Sequence, residues 1–454
     1  MDTSIRDALK VNIKWMTDNG LLEEAKRMLS HYEKEVSEDW EIYSLKSDIA
    51  KREENYDKAL EILLEGCAWN DENPCLLYEL GCAYTRIEEY ALAQNSYRQA
   101  LKNISDPEMQ IVLREALKEA ESKNTKNYNL EKPEGKIYIV CLTPVVTGGT
   151  ELLHQLCDKL SQLGCDAYMF YGKVKEPVPE RFKKYHTRYI MDVYDTEGNI
   201  FIVPEVMPQL ALNIMNAKSI LWWLSVDNFF LTLEGPDDTE ENIFDLIKRK
   251  DSNRLLHFVQ SQYAKEYLLG KGISPSEVEY LSDYLNKEFM VEAMKGNPGH
   301  QRYANVLYNP AKGYEFTQKL IKASPELNWI PLHHYSPEEM RIIMCRSMVY
   351  VDFGNHPGKD RIPREAAICG CCIIVGLRGA AANPCDIPIP SGYKIEDREE
   401  NIPAIIGKIK EVVQNYDETS RDYDDYRKKI KEEEIVFEKD IKNMIQLLYE
   451  KKAN

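Results

Sequence analysis

Basic residues are in the minority in this chain. Its 454 residues hold 58 Lys and Arg against 75 Asp and Glu, a formal charge of −17 at pH 7. Such a surface repels phosphate backbones and anionic headgroups, which argues against nucleic acid or an acidic membrane as the main partner. Long apolar runs are missing too. A membrane-spanning helix needs about 20 consecutive apolar residues, and the nearest approach, around Ile220–Leu233, is broken by Asp227 and Asn228. No charged-then-apolar leader opens the sequence, so the expectation is a cytoplasmic protein with no transmembrane segment. The eleven cysteines are odd in number and lack the spacing of a disulfide scaffold, which fits free thiols in a reducing compartment. Cys369, Cys371 and Cys372 gather at a helix-to-strand turn and read as small core residues rather than metal ligands. The acidic pairs Asp237-Asp238 and Asp424-Asp425 read as solvated surface rather than a metal site.

What the chain does contain is a repeat. Ala25, Ala59 and Ala93 recur every 34 residues, as do Leu22, Tyr56 and Tyr90, and Leu29, Leu63 and Tyr97. Asp39, Asn73 and Pro107 mark the turns between copies. The third copy, with Leu80-Gly81, Tyr84, Ala93, Tyr97, Ala100 and a late proline, resembles the tetratricopeptide pattern. Residues 1–122 are therefore expected to be an all-α array whose last helix caps the apolar face, a surface suited to a protein partner or to self-association.

Residues 123–135, KNTKNYNLEKPEG, are polar and periodless and read as a linker. Strands then alternate with helices, the pattern of a parallel sheet. A first block covers 136–286, a second covers 287–415, and charged helices close the chain over 416–454. The central stretch is VYVDFGNHPGKDRIPREAAICGCCIIVGLR, residues 349–378. A buried strand ends at Phe353. A polar loop follows with His356, Lys359, Asp360 and Arg361, then a helix expected from Pro363, with Glu365 in its first turn. Ligands of open parallel sheets bind at the carboxyl ends of strands, and cations beside a helix N-terminus favour an anion such as phosphate.

Other turns carry candidate chemistry. Gly148-Gly149 lies between a strand and a helix, where glycine lets a ligand approach the backbone. In the turn Asn309-Pro310-Ala311-Lys312-Gly313, Lys312 stands at a helix N-terminus, where a cation is unfavourable unless an anion accompanies it. Asp227 ends the strand that holds Trp222 and Trp223 and reads as a general base or an orienter of a sugar hydroxyl. The two tryptophans read more simply as core.

These stretches carry a resemblance. TGGTELLHQLCDKLSQLGCDAYMF, NWIPLHHYSPEEMRIIMCRSMVYVDFG, Lys312-Gly313 and Pro363-Arg364-Glu365-Ala366-Ala367 resemble, in order, the motifs of GT-B-fold glycosyltransferases of the group called group 1 or family 4. The likeness covers about residues 136–395. It implies an α/β chain of two Rossmann-like domains behind the helical array. The function implied is transfer of a sugar from a nucleoside-diphosphate donor of UDP or GDP type to a glycan, lipid-linked or protein hydroxyl, with no further cofactor or metal. In that reading Gly148, Gly149, Asn309, Lys312, Gly313, His333, Lys359, Arg361 and Glu365 hold the donor. Lys312 meets the diphosphate, Glu365 the ribose, and the loop at His333 the base. Asp227 and His356 are the candidate catalytic residues. The sequence departs from the family at two places. No acid stands eight residues before Glu365, and Asn309-Pro310 occupies the place of an expected arginine. The alternatives are an epimerase on the same fold and a repeat-based scaffold with a degenerate transferase domain.

Overall fold

The structure, a computed structural model, describes residues 3–36, 39–124, 134–143, 145–174, 177–233, 239–286, 288–290 and 302–450. Seven helices open the chain: α1 (Thr3–Asp18), α2 (Leu22–Glu35), α3 (Glu41–Arg52), α4 (Tyr56–Trp69), α5 (Pro74–Arg86), α6 (Tyr90–Asn103) and α7 (Pro107–Lys123). The starts of α2, α4 and α6 keep the 34-residue spacing of the sequence. The small residues of the repeat sit where helices touch. Ala25, Ala59 and Ala93 are buried, and a Cβ at Gly81 would lie 2.3 Å from the Tyr97 ring. The expected turns carry the caps. The Asp39, Asn73 and Asp106 side chains accept backbone N–H groups at the starts of α3, α5 and α7, which satisfies donors that a helix N-terminus leaves open. These helices fit a helical repeat. Most of the expected 123–135 linker lies outside the described residues.

Among the described residues the strands of the α/β part pair in parallel in each registered pair. The first sheet comprises β1 (Ile137–Val140), β2 (Ala167–Phe170), β3 (Tyr189–Ile190), β4 (Ile200–Pro204), β5 (Lys218–Trp223), β6 (Leu255–Val259) and β7 (Val278–Tyr280), in the order β3-β2-β1-β4-β5-β6-β7. The second holds β8 (Tyr303–Tyr308), β9 (Asn328–Pro331), β10 (Ser347–Asp352) and β11 (Cys372–Val375), ordered β11-β10-β8-β9. The strands read as continuous apolar runs because helices cover both faces. The connecting helices are α8 (Gly148–Gln162), α9 (Pro208–Asn213), α10 (Val226–Phe229), α11 (Glu240–Arg249), α12 (Gln262–Gly270), α13 (Tyr314–Ala323), α14 (Pro337–Cys345) and α15 (Arg361–Ile368), and α16 (Ile402–Gln414), α17 (Tyr416–Thr419) and α18 (Asp424–Glu450) follow. Two parallel α/β sheets behind a helical array are consistent with a GT-B arrangement. Strand β3 was not expected from the sequence; two residues are too short for periodicity to show.

The chain forms two compact units, Met1–Ile202 with Leu448–Asn454, and Val203–Leu447. In the first, the repeat helices and the early strands share buried polar contacts. Asn95 donates to the Ser161 carbonyl at 2.8 Å, and Tyr84 to that of His186 at 2.8 Å. The buried Arg188 guanidinium meets Asp166 at 3.0 Å and also Gln99. In the second unit one core joins β8, β10 and β11 to α15, α16 and the start of α18. Cys369, Cys371 and Cys372 are buried in it, and all eleven cysteines are free thiols. Asp424-Asp425 is exposed in the first turn of α18, and Asp237-Asp238 lies outside the described residues. Among the described residues no helix is long and apolar enough to cross a membrane, and no group of three or more His, Cys, Asp or Glu side chains is placed to hold a metal ion.

Candidate functional site

The second compact unit gathers several predicted residues at the carboxyl ends of β5, β8 and β10. Asp352, the last residue of β10, is almost fully buried. It accepts the Tyr350 hydroxyl at 2.7 Å and the Gly354 N–H at 3.0 Å. His356 is fully buried between two carboxylates. Its Nε2 lies 3.5 Å from Asp352 and its Nδ1 3.2 Å from Asp360. Both approaches are off the hydrogen-bond axis, so charge does most of the holding. Burial alone would lower the His356 pKa, but the two acids outweigh it and hold it up at about 9. Asp360 in turn takes the Lys312 ammonium at 2.7 Å. The four side chains form one line of alternating charge, from β10 to the turn before α13.

That turn is fastened by Asn309, whose side chain accepts the Ala311 N–H at 3.0 Å. Gly313 caps α13 at φ 60°, in the left-handed region, and a Cβ there would lie 2.5 Å from the Phe353 backbone. Gly354 answers it, since a Cβ there would lie 2.4 Å from the Lys312 Cβ. Glycine is needed at both places, at Gly313 because backbone meets backbone and at Gly354 because the Lys312 Cβ and the Asp352 carboxylate fill the space. The next residue, Asn355, donates its amide to Asp227 in α10, and the other Asp227 oxygen accepts the Tyr263 hydroxyl at 3.3 Å. Alongside, the Val226 N–H donates to the Pro357 carbonyl at 2.8 Å. Asp386 accepts the N–H groups of Gln262 and Tyr263 at 2.8 and 2.9 Å, at the start of α12.

The remaining predicted residues are placed differently. Helix α15 begins at Arg361, two residues before the expected Pro363, so Glu365 lies in its second turn, half-buried. Arg361 is half-buried as the first helical residue. Lys359 points into a buried quartet, 3.1 Å from Asp283 and 2.7 Å from Glu433, and Arg364 binds the same two acids. His333 follows β9 on the surface, its ring 4.4 Å from that of His334. Gly148 and Gly149 open α8 in the first compact unit, where Thr147 and Thr150 form a capping box. Trp222 and Trp223 are fully buried, their indole N–H groups spent on Leu281 and His257, so they are core. His356, a candidate catalytic residue, is fully buried, held between Asp352 and Asp360. Asp352, Gly354, Asn355, Asp283 and Glu433 were not picked out from the sequence. The four-residue spacing of Asp352, His356 and Asp360 was a readable signal of the first.

No family profile matches the sequence, and no curated relative matches it. Solved structures do. HepE of Anabaena in complex with UDP is 10% identical and matches over 70% of this chain and 99% of its own, with a TM-score of 0.46. Sucrose-phosphate synthase of Thermosynechococcus elongatus is 14% identical over 70% of this chain and 98% of its own, with a TM-score of 0.47. A glycosyltransferase of Rickettsia africae is 13% identical over 72% and 100%, with a TM-score of 0.47. Every one of these scores is below 0.5, so the functional reading rests on the residues of this chain.

Proposed function

We propose that this chain is a glycosyltransferase that moves a sugar from a nucleoside-diphosphate donor to a hydroxyl acceptor. One observation carries the reading. Gly354 lies against Lys312 while its neighbour Asn355 binds Asp227, so a cationic turn and an acidic one flank a two-residue loop at the carboxyl ends of three strands. The order of motifs along the sequence supports the same reading. In it, Lys312 and the N-terminus of α13 offset the charge that develops on the leaving diphosphate. Glu365 holds the ribose hydroxyls, and His333 lines the base. Asp227 accepts the proton of the acceptor hydroxyl, with Asn355 and Tyr263 fixing its carboxylate. Gly148 and Gly149, which open α8 in the first compact unit, keep the donor-binding role that the resemblance implies. The reaction needs no metal in this reading, the donor is of UDP or GDP type, and cell-surface polysaccharide or glycoconjugate synthesis in the cytoplasm is the setting.

A thermal-shift screen against UDP-, GDP-, CMP- and dTDP-sugars tests it, since a ligand that binds only the folded state raises the melting temperature. One nucleotide class should stabilise the protein. Lys312→Ala and Glu365→Ala should each weaken that ligand about tenfold or more in calorimetry, with the melting curve unchanged. Unaltered affinity in both variants would refute the site. The commitment of Lys359 and Lys312 to acids of the chain itself favours a second reading, a repeat scaffold with a degenerate transferase domain. Failure of every nucleotide to bind would select it.

A further inference from the structure

We propose that Asp360 is a specificity-determining residue of the anion position at Lys312, a resident carboxylate that tolerates a diphosphate diester and penalises a ligand bearing one more negative charge. The identity of that ligand rests on the glycosyl-transfer reading above; the electrostatics rest on this structure alone.

Asp360 is not a loosely placed surface acid. One of its oxygens is 2.7 Å from the Lys312 Nζ and 3.2 Å from the His356 Nδ1. Its carbonyl accepts the Arg364 Nε–H at 3.2 Å, and it is the residue from which α15 starts. His356, fully buried, is held from behind by Asp352, and Asp352 by Tyr350 and the Gly354 N–H. The carboxylate is thus pinned by a chain of contacts that runs back to β10. Two acids, one imidazolium and one ammonium sum to no net charge. The loop's other lysine, Lys359, is balanced by Asp283 and Glu433.

At Lys312 an arriving phosphate therefore meets hydrogen-bond donors whose charge is already matched by Asp360, while Arg361, the first residue of α15, is a further cation of the same loop. An ammonium has three donors, and Asp360 takes one, which leaves two for ligand oxygens. Those donors serve a diester and a free diphosphate alike. The fixed carboxylate, a few ångströms away, separates them by charge. A sugar–nucleotide diester carries two negative charges, and a free nucleoside diphosphate close to three at neutral pH, since its terminal phosphate has its second pKa near 6. During transfer the bond from the sugar C1 to the β-phosphate oxygen breaks and its electron pair stays on that oxygen. The acceptor oxygen bonds to C1 and its proton passes to Asp227. The product thus gains the charge that Asp360 opposes, and its release is favoured over that of unreacted donor.

Calorimetry on the full chain and on Asp360→Asn tests this with UDP-glucose, UDP, GDP-mannose, GDP and inorganic pyrophosphate. The variant should gain about tenfold in affinity for pyrophosphate and for the free diphosphate, and clearly less for the matching sugar diester. Adding Lys312→Met should abolish the gain. The unaltered protein should bind the diester at least as tightly as the free diphosphate, and the reverse order overturns the proposal without any variant. Asp360→Ser, checked by its melting curve, replaces Asp360→Asn if the latter does not fold. Equal or weaker pyrophosphate binding in a folded variant sinks the proposal. A gain in pyrophosphate binding through Lys312 with no nucleotide bound by either protein would uphold it while refuting glycosyl transfer. Nucleotide binding with an unshifted preference would do the opposite.

Discussion

Glu205 illustrates how burial sets the chemistry of a single side chain. It follows the end of β4, almost fully buried, and one oxygen accepts the Leu224 N–H at 2.9 Å. Burial pushes its pKa up to about 8, against the pull of the Leu224 and Ser225 N–H groups. The sign of the linkage follows. Below about pH 4.5, the ordinary glutamate value, both folded and unfolded chains hold the proton. Between there and about 8 the unfolded chain loses it while the folded one keeps it, so stability falls as pH rises. The slope is about 1.4 kcal/mol per pH unit at most. Glu205→Gln should flatten this part of the stability profile and should be more stable than the unaltered protein at pH 8. Denaturant melts at pH 5, 6.5 and 8 check it, and parallel profiles for the two proteins would contradict it. His356 shows the opposite balance. It is just as buried, yet two neighbouring acids keep it charged.

Helix α15 is the element on which the second unit turns. Pro363 is tolerated anywhere in a first helical turn because no N–H is required there. The sequence therefore could not separate a start at Arg361 from one at Pro363. The consequence is larger than a shift of bounds. It turns Arg364 inward, where its guanidinium joins Lys359 against Asp283 and Glu433. Two cations and two anions make a balanced buried set, and the attraction of the cations holds the Asp283 pKa well below the usual range despite burial. Removing one member of such a set leaves charge uncompensated. Arg364→Met should cost about 3–5 kcal/mol of stability, read as a lower denaturant midpoint with an unchanged slope. A loss under about 1 kcal/mol would mean the quartet is not holding α15 in place.

At the scale of the whole molecule, the helical repeats are part of a folded unit rather than a tethered appendage. Asn95, Tyr84 and Gln99 on the repeats reach groups around β2 and β3, and Arg188 is buried among them. Stripped of the repeats, those strands would expose Arg188 and Tyr168 along with apolar surface. A chain beginning at residue 134 should therefore be insoluble or lack a cooperative melt for the first unit. Circular dichroism and limited proteolysis measure this, and a soluble, cooperatively melting fragment would disprove it. Much of the architecture was legible beforehand. Helical repeats were visible in Ala25, Ala59 and Ala93, and parallel sheets in the apolar runs at β1, β5, β8 and β10, because periodicity is a local property that the chain states residue by residue. The meeting of Lys312 with Asp360, of Asp227 with Asn355, and of Lys359 with Asp283 was not legible in that way. The first two pairs are 48 and 128 residues apart, and no local pattern records such distances. The amino-acid order by itself determined which segments become helix and which become strand, and which side chains had chemistry to offer. Strand order and loop packing alone decided which of those side chains are spent on one another, because an ion pair depends on where two Cβ atoms end up in space.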